Sequence, residues 1–210
     1  MNKLQSARLK YKPDEIKILF VAEAPPENIE RFFYYENVKE KDALFINLIR
    51  LLYPEYRDRN GGSVDKIRKH KKALLERFQK DGYYLIDALP EPISLKLKSR
   101  EREQLIMARK SDIASEIKSL IAPGPYNPED PHVGVVLIKA TVFDALFDYL
   151  LVEHRLPVLN NNIKIPFPSH GNAGRFTEEL HNVLAPFDHG YRGRTKFVSY
   201  SGDMTITRAD

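Results

Sequence analysis

The stretch that decides the fold is IKILFVAEAPPEN, residues 16–28. Its first seven residues form an apolar run interrupted by one lysine, which is typical of a buried β-strand. Two consecutive prolines, Pro25 and Pro26, prevent the strand from continuing, because proline has no backbone N–H to donate to a sheet. The sequence therefore predicts a buried strand that ends in a rigid loop carrying Glu23.

The same order of strand, loop and helix recurs along the chain. Three further strands are predicted: a short one within 83–93 that runs into a proline-bounded loop at Asp87–Pro92, one at 133–140 and one within 157–168. The apolar spacing predicts helices over 39–53, 64–80, 99–121, 141–151 and 176–184. Strands that alternate with helices favour an α/β fold with a parallel sheet. We expect a single domain over residues 1–210 with a C-terminal tail from about 185.

Composition narrows the class of protein. A chain of 210 residues, 42% of them hydrophobic, is large enough to bury a stable core without disulfides or structural metals. The sequence has no cysteine, which excludes thiolate metal sites, cysteine nucleophiles and disulfides. The histidines lack metal-ligand spacing, so we expect no metal and no cofactor. No apolar run reaches 18 residues and no signal sequence is recognised, so we expect a cytoplasmic protein that does not span a membrane.

The charge is weakly basic overall, at +4, and unevenly distributed. Residues 57–80 hold nine lysines and arginines against three acidic residues. Such a bias suits a polyanion such as single- or double-stranded DNA, bound with salt-dependent affinity. A solvated basic helix face is the alternative, and the sequence leaves both open.

Three residues that follow predicted strands carry the candidate chemistry. Ligands of open parallel sheets bind beyond the carboxyl ends of the strands, where the loops after Glu23, Asp87 and His170 would converge. Two carboxylates and an imidazole in one cleft suit general acid–base hydrolysis. Each also has a structural interpretation: a loop salt bridge for Glu23, a turn initiator for Asp87, and a backbone-bonded loop histidine for His170.

Four segments occur in an order that resembles the uracil-DNA glycosylase superfamily. They are LFVAEAPPEN (19–28), YYLIDALPEP (83–92), VGVVLIKATVFDAL (133–146) and IPFPSHGNAGRF (165–176). The resemblance lies in a strand with an acidic, proline-containing loop, a strand ending in a polar residue, an apolar strand before a helix, and a His-containing loop. It implies a three-layer α/β/α sandwich with a four-stranded, mainly parallel central sheet. It also implies a DNA glycosylase that flips the target base into a pocket.

The resemblance also implies roles for individual residues. Glu23 would orient water or oppose the positive charge that develops on the sugar, and His170 would donate a hydrogen bond to the leaving base. Either phenylalanine of the dense aromatic run 32–35 could stack on the base, although core packing is an alternative for both. The implied substrate-binding residues are Ala24, Pro25, Phe32, Phe33, Asp87, Ser169, Asn172 and Arg175.

Departures from the family pattern define the alternatives. Ala22 and Pro26 stand where the family usually has glycines. An ionised Asp87 only accepts hydrogen bonds and would repel O4 of uracil, which favours a base with an exocyclic amino group. We therefore expect an N-glycosidic hydrolase acting on a damaged or modified base in DNA. The alternatives are a nucleic-acid-binding homologue that has lost the chemistry, or a hydrolase of free nucleosides or nucleotides.

Overall fold

The fold is seen in a computed structural model, which describes residues 2–38, 40, 42–57, 63–121, 133–169 and 171–188. Short 3₁₀ turns occupy Ile29–Arg31 and Pro54–Tyr56, and a π-helical turn, Tyr149–Glu153, continues the seventh helix. The regular elements in chain order are α1 (Lys3–Lys10), β1 (Ile18–Ala22), α2 (Ala43–Leu52), α3 (Val64–Lys69), α4 (Lys71–Lys80), β2 (Tyr83–Asp87), α5 (Ser99–Ala108), α6 (Lys110–Ile121), β3 (Gly134–Leu137), α7 (Ala140–Asp148) and α8 (Ala173–Asp188).

The sheet is parallel and has β1 at its centre. The strand order is β2–β1–β3, and Ile18 of β1 pairs with Tyr83 on one side and Gly134 on the other. All five residues of β1 are buried. Because successive side chains of a strand point to opposite faces, both faces of this sheet are covered. The predicted α/β class and the parallel sheet are therefore confirmed.

Helices and loops cover the central strand with large side chains. The ring of Phe20 in β1 lies 6.1 Å, centroid to centroid, from Phe78 of α4. Elsewhere α5 packs against α7, and α2 packs against α8. At about 25 cal/mol for each Å² of apolar surface removed from water, this burial is the main stabilising contribution to the fold.

The expectation of a four-stranded sheet is wrong for the described residues, whose sheet has three strands. Residues 157–168 make only two isolated parallel bridges, Val135–Val158 and Ile138–Ile165. Between these bridges the chain turns through Asn161 and Asn162, whose φ angles are 42° and 62°. Such left-handed backbone interrupts an extended strand.

A buried side chain takes the place of the missing ladder. Asn160 is fully buried, and its Oδ1 accepts a hydrogen bond from the N–H of Leu137 at 2.7 Å. Its Nδ2 donates to the carbonyl oxygens of Leu137 and Ile163, both at 3.0 Å. The amide thus satisfies both backbone groups of a β3 residue, as a neighbouring strand would.

Several predicted helix bounds also change. The helices predicted over 64–80 and 99–121 are each divided, at His70 and Arg109, where φ falls to −101° and −110°. Each half buries apolar residues of its own, among them Ile67 in α3 and Ile106 in α5. The helix α1 had no counterpart among the predicted elements. α8 continues to residue 188, into the range assigned to the tail, and residues 189–210 lie outside the described residues.

Replacing Asn160 by alanine tests the role of its amide. We expect Asn160→Ala to lower the free energy of unfolding by about 2–4 kcal/mol, because buried backbone groups lose their partners. Urea unfolding measures the change. Asn182→Ala removes the same amide from an exposed position on α8 and should shift stability by less than about 0.5 kcal/mol. Equal stabilities of the two variants would contradict this role.

Candidate functional site

The strand order locates the crevice of this sheet. In a parallel sheet of order 2-1-3, the connections leave the first and third strands in opposite directions, and ligands bind beyond the carboxyl ends of those strands. Glu23 follows β1 directly, while Lys139 and Thr141 lie at the start of α7, just after β3. These residues therefore meet at the position where open α/β sheets bind ligands.

Three donors surround the carboxylate of Glu23. The side-chain ammonium of Lys139 and the guanidinium Nη1 of Arg102, at 3.0 Å, both bond to Oε2. The hydroxyl of Thr141 donates to Oε1 at 2.5 Å. Only 8% of Glu23 is exposed. Glu23 therefore forms salt bridges, as its structural interpretation predicts. It also lies at the carboxyl end of β1, where a catalytic carboxylate is expected.

These donors fix the protonation state of Glu23. Burial raises the pKa of the carboxyl, but the hydrogen bonds from Lys139 and Thr141 and the charges of Lys139 and Arg102 outweigh it. The net effect is a pKa below the ordinary value of glutamate. Glu23 is consequently an anion at neutral pH, which suits electrostatic stabilisation of a cation better than the uptake of a proton.

The backbone of Lys139 is strained. Its φ is 85°, a value that side-chain-bearing residues rarely adopt, and its N–H donates to the carbonyl of Ile165 at 2.9 Å. Such conformations cost about 1–3 kcal/mol, persist where the surroundings hold them, and cluster at functional sites. Here the strained residue brings a cation onto the carboxylate of Glu23.

Asp87 lies at the same edge of the sheet as Glu23. It pairs in register with Ala22, the residue before Glu23, and its Oδ2 bonds to Nη2 of Arg8 in α1 at 2.6 Å. Burial raises the pKa of Asp87 to about 6, although the charge and hydrogen bond of Arg8 oppose the rise. Above pH 6 its carboxylate accepts hydrogen bonds only, and below pH 6 it gains a proton that it can donate.

The two candidate stacking rings lie in the core. Phe32 is 1% exposed and Phe33 is 5% exposed. The ring of Phe33 contacts those of Tyr34, Phe45 and Phe78 at centroid distances of 5.0–5.3 Å. Of the neighbouring loop residues, Ala24 is half-buried and Pro25 is buried. The conformation described here offers neither phenylalanine ring to a ligand.

The last candidate loop precedes α8. Ser169, Asn172 and Arg175 are exposed, and Nε of Arg175 lies 3.8 Å from a carboxylate oxygen of Glu179. No hydrogen bond or ion pair found among the described residues joins this loop to Glu23 or Asp87. His170, the predicted second catalytic residue, lies outside the described residues.

The basic stretch 57–80 is less available than its composition indicates. Lys71 is fully buried within α4, and its ammonium lies 4.3 Å from the ring centroid of Phe45. Arg68 bonds to Oδ1 of Asp42 through Nε and Nη2, at 3.0 and 2.7 Å. Lys69 and Lys72 remain exposed. The stretch is therefore only in part a solvated basic face.

A small apolar cavity adjoins the same edge of the sheet. Its volume is about 260 Å³, and it lies between the loop after β2 and helix α5. The N–H of Leu89 in its wall donates to the carbonyl of Glu23 at 2.9 Å, and Nη1 of Arg109 donates to the carbonyl of Ala88 at 3.0 Å. The lining residues are Leu89, Pro90, Glu91, Pro92, Ile93, Leu105, Ala108 and Arg109.

Sequence reasoning missed the cations of this site. Arg8, Arg102 and Lys139 reach their carboxylates from 79 or more positions away along the chain. Only the position of Lys139 could have been predicted from the sequence. It lies at the end of the predicted strand 133–140, as Glu23 lies at the end of the predicted strand 16–22. Arg8 and Arg102 lie on charged helices, where sequence spacing does not distinguish an inward arginine from a solvated one.

The burial of Lys71 had a readable signal in the sequence. Its spacing to Leu74, Leu75 and Phe78 places it on the apolar face of α4. The basic composition of residues 57–80 favoured a solvated face instead. The number of charged residues in a segment therefore does not predict exposure for a residue, such as Lys71, whose spacing places it on the apolar face of a helix.

Fold and site together define the class: an α/β protein with an open parallel sheet and a carboxylate–cation cluster at the carboxyl ends of its strands. No family model, curated protein or solved structure matches this chain. Within the described residues, no group of three or more histidine, aspartate or glutamate side chains is arranged to hold a metal ion. None of the helices described above is long and apolar enough to cross a membrane.

The pairing of Glu23 with Lys139 can be measured by a double-mutant cycle. We expect Lys139→Met and Glu23→Gln each to destabilise the fold, because each removes one member of an ion pair whose carboxylate is buried. The double variant should lose less than the sum, with a coupling energy of about 1–3 kcal/mol by urea unfolding at pH 7. The matched cycle of exposed Lys72 and Glu76, whose charged atoms are 4.0 Å apart, should give less than about 0.5 kcal/mol.

Because of Lys71, the free energy of unfolding should change with pH above pH 7. Burial lowers the pKa of its ammonium from 10.5 to about 7, with opposing effects from Asp42, which raises it, and Arg68, which lowers it further. Between pH 7 and 10 this lysine is therefore protonated in the unfolded chain and neutral in the folded chain. The free energy of unfolding consequently increases as the pH rises.

We expect this lysine to contribute a slope of up to about 1.4 kcal/mol per pH unit to the free energy of unfolding. Lys71→Met should remove that slope between pH 7 and 9, whereas Lys72→Met, at the adjacent exposed position, should retain it. Urea unfolding across this range compares the three proteins. A wild-type slope that Lys71→Met leaves intact would rule out Lys71 as its source.

Proposed function

We propose that this protein is an N-glycosidic hydrolase that removes a damaged or modified base from DNA. The order of its segments resembles the uracil-DNA glycosylase superfamily, and the three-layer sandwich of that superfamily belongs to the same proposal. Glu23 acts as the catalytic carboxylate. The proposal assigns base-side hydrogen bonds to His170 and Asp87.

The observation that carries the proposal is the anionic Glu23 at the carboxyl ends of β1 and β3. Breaking an N-glycosidic bond builds positive charge on the sugar, and a fixed carboxylate beside that sugar lowers the barrier. The low pKa of Glu23 keeps it ionised throughout the neutral range. Its function here is electrostatic, since a carboxyl with this pKa is a weak base.

The cations around Glu23 suit a DNA strand. A nucleotide entering the crevice brings a phosphate, and Lys139, whose side chain is 26% exposed, is accessible to it. In the proposed complex, Lys139 moves from Glu23 to that phosphate. Arg102 and Thr141 stay on the carboxylate, and the side that Lys139 leaves faces the sugar. The apolar cavity beside Leu89 accommodates the base, in place of a stacking site on Phe32 or Phe33.

A second candidate function is binding without base release. This function is favoured by the hydrogen bonds of Glu23, since both of its carboxylate oxygens already accept hydrogen bonds from the protein. If the bond from Lys139 persists in the complex together with the other two, the carboxylate cannot act on a sugar. The protein would then recognise an altered base in DNA and leave it attached.

Base release from oligonucleotides decides between the two functions. Single- and double-stranded oligonucleotides carrying deaminated, alkylated or oxidised bases are incubated with the full chain, and abasic sites are detected by alkaline cleavage. We expect release of at least one base, reduced about 10²–10³-fold in Glu23→Gln. Glu178→Gln makes the same change at an exposed position on α8 and should retain full activity.

Binding measurements on the same oligonucleotides complete the design. Tight, lesion-dependent binding without abasic sites in any substrate would reject the hydrolase and support the binding protein. Release of bases from free nucleosides alone would reject both and favour a nucleoside hydrolase. Thermal unfolding of Glu23→Gln shows whether lost activity reflects lost chemistry or lost structure.

A further inference from the structure

The first helix, α1, has no buried apolar face. No residue of Lys3–Lys10 is buried; Leu4 and Ala7 are half-buried against the core, and Leu9 is exposed. Most of the stability of helices in proteins comes from the packing of an apolar face. Little apolar burial therefore opposes the release of α1 from the surface that it covers.

The polar contacts of α1 lie at the edge of the sheet that carries the candidate site. Nη2 of Arg8 bonds to Oδ2 of Asp87, the last residue of β2, at 2.6 Å. Nδ2 of Asn2, the residue that caps α1, donates to Oε1 of Glu91 at 3.3 Å. Glu91 lines the apolar cavity. α1 is thus attached both to the end of β2 and to the wall of that cavity.

Arg8 occupies the carboxylate that the proposed function assigns to the base. The side chain of Arg8 is 14% exposed and that of Asp87 is 5% exposed, so their contact is shielded from water. The guanidinium carbon of Arg8 also lies over the ring of Phe32, 5.9 Å from its centroid. Asp87 therefore presents its Oδ2 to a base only after Arg8 has left it.

The contact of α1 with the site leaves one polar group unsatisfied. Nε of Arg8 is buried and has no hydrogen-bond partner in the part of the chain that the structure describes. This unpaired N–H costs free energy while the helix is in place, and water can bond to it once the helix has left. The cost narrows the free-energy difference between the closed and the displaced helix.

We propose that α1 is a lid on the candidate base site, and that Arg8 holds Asp87 in the place of a guanine-type base. The inference rests on the proposed function, and it names the class of base together with the step that admits it. When α1 leaves, the pairing edge of the base replaces the guanidinium on Asp87. The body of the base lies in the cavity that begins two residues further along the chain, at Leu89.

The guanidinium of Arg8 indicates the class of base because guanine presents the same donors. In guanine the N1–H and the N2 amino group are attached to one carbon, as are the N–H groups with which arginine binds a carboxylate side by side. Adenine and cytosine have a ring acceptor next to the amino group, and that acceptor would face the carboxylate when the pairing edge is read. An anionic Asp87 therefore favours guanine, and altered guanines that keep both donors.

The test follows hydrogen exchange of the full chain by mass spectrometry, with deoxyguanosine monophosphate as the probe. Bound ligands ordinarily slow exchange, whereas this probe should speed the exchange of the α1 amides, because it binds only when the helix has left. Deoxyadenosine monophosphate should leave the exchange of α1 unchanged. Slower or unchanged exchange of α1 at saturating deoxyguanosine monophosphate would overturn the lid.

A second experiment loosens α1 and leaves its ion pair with β2 in place. Asn2→Ala removes the cap and the bond to Glu91, and Lys10→Glu replaces the contact of the Lys10 ammonium with Glu36 by a repulsion. In the variant Asn2→Ala/Lys10→Glu, we expect calorimetry to show deoxyguanosine monophosphate binding about tenfold more tightly, because more molecules are open before the nucleotide binds. Lys3→Glu makes the same charge change at another exposed position on α1 and should match the wild type. Equal affinities in the double variant and the wild type would also overturn the lid.

A third variant, Asp87→Asn, tests the choice of base. An asparagine amide cannot accept two donors side by side as a carboxylate does, because one of its two polar atoms is itself a donor. We expect this variant to release α1 and to lose the preference for deoxyguanosine over deoxyadenosine monophosphate. A preference that Asp87→Asn retains would reject Asp87 as the residue that reads the base.

The outcomes distinguish this inference from the proposed function, because none of these measurements requires a glycosidic bond to break. If deoxyguanosine monophosphate opens α1 but no oligonucleotide loses a base, the lid is supported and the hydrolase is rejected. Base release from oligonucleotides, together with α1 exchange that the nucleotide leaves unchanged, rejects the lid and supports the hydrolase. A failure of deoxyguanosine monophosphate to bind either the wild type or the double variant also rejects the lid.

Discussion

The burial of one carboxylate constrains this end of the molecule. Glu23 follows the central strand and is 8% exposed, so its charge needs compensation inside the protein. Lys139 and Thr141 provide it from the segment after β3, and Arg102 provides it from α5. Three segments distant in sequence are therefore held together by the electrostatic requirement of one residue. Removal of that charge would leave the cations uncompensated, and the arrangement is consequently cooperative.

The edges of the small sheet meet a similar requirement with neutral side chains. The hydroxyl of Tyr34 donates to the carbonyl of Leu85 in β2 at 3.0 Å and accepts from its N–H at 2.7 Å. Asn160 pairs in the same way with Leu137 of β3. Unpaired backbone groups on edge strands invite pairing with other chains. On the β2 side a tyrosine hydroxyl pairs with the edge strand, and on the β3 side the amide of Asn160 does so between the two backbone bridges at Val158 and Ile165.

Local patterns predicted the strands and the place of the carboxylate, but not its partners. The apolar run 16–22 indicated a buried strand, and its end placed Glu23 at the edge of the sheet. The predicted fourth strand fails because the chain turns at Asn161 and Asn162 between two isolated bridges, and the amide of Asn160 pairs with β3 in that gap. No local pattern distinguishes an asparagine that pairs with a backbone from one that begins a turn. Arg102 and Lys139 meet Glu23 across 79 and 116 positions, so their roles follow from tertiary structure alone.

The strained backbone and the charge of Lys139 at the start of α7 affect how the cluster around Glu23 would respond to an anion that enters the crevice. The backbone of Lys139 is held at a φ of 85° by its hydrogen bond to Ile165 and by the contact of its ammonium with Glu23. A competing anion in the crevice would take one of those two restraints away, and the strained backbone would favour the rearrangement. Arg102 would remain on Glu23 and keep it from becoming an isolated buried charge. The side chain of Lys139 is 26% exposed and that of Arg102 is 13% exposed, so in the proposed complex Lys139 would exchange partners while Arg102 stayed on Glu23.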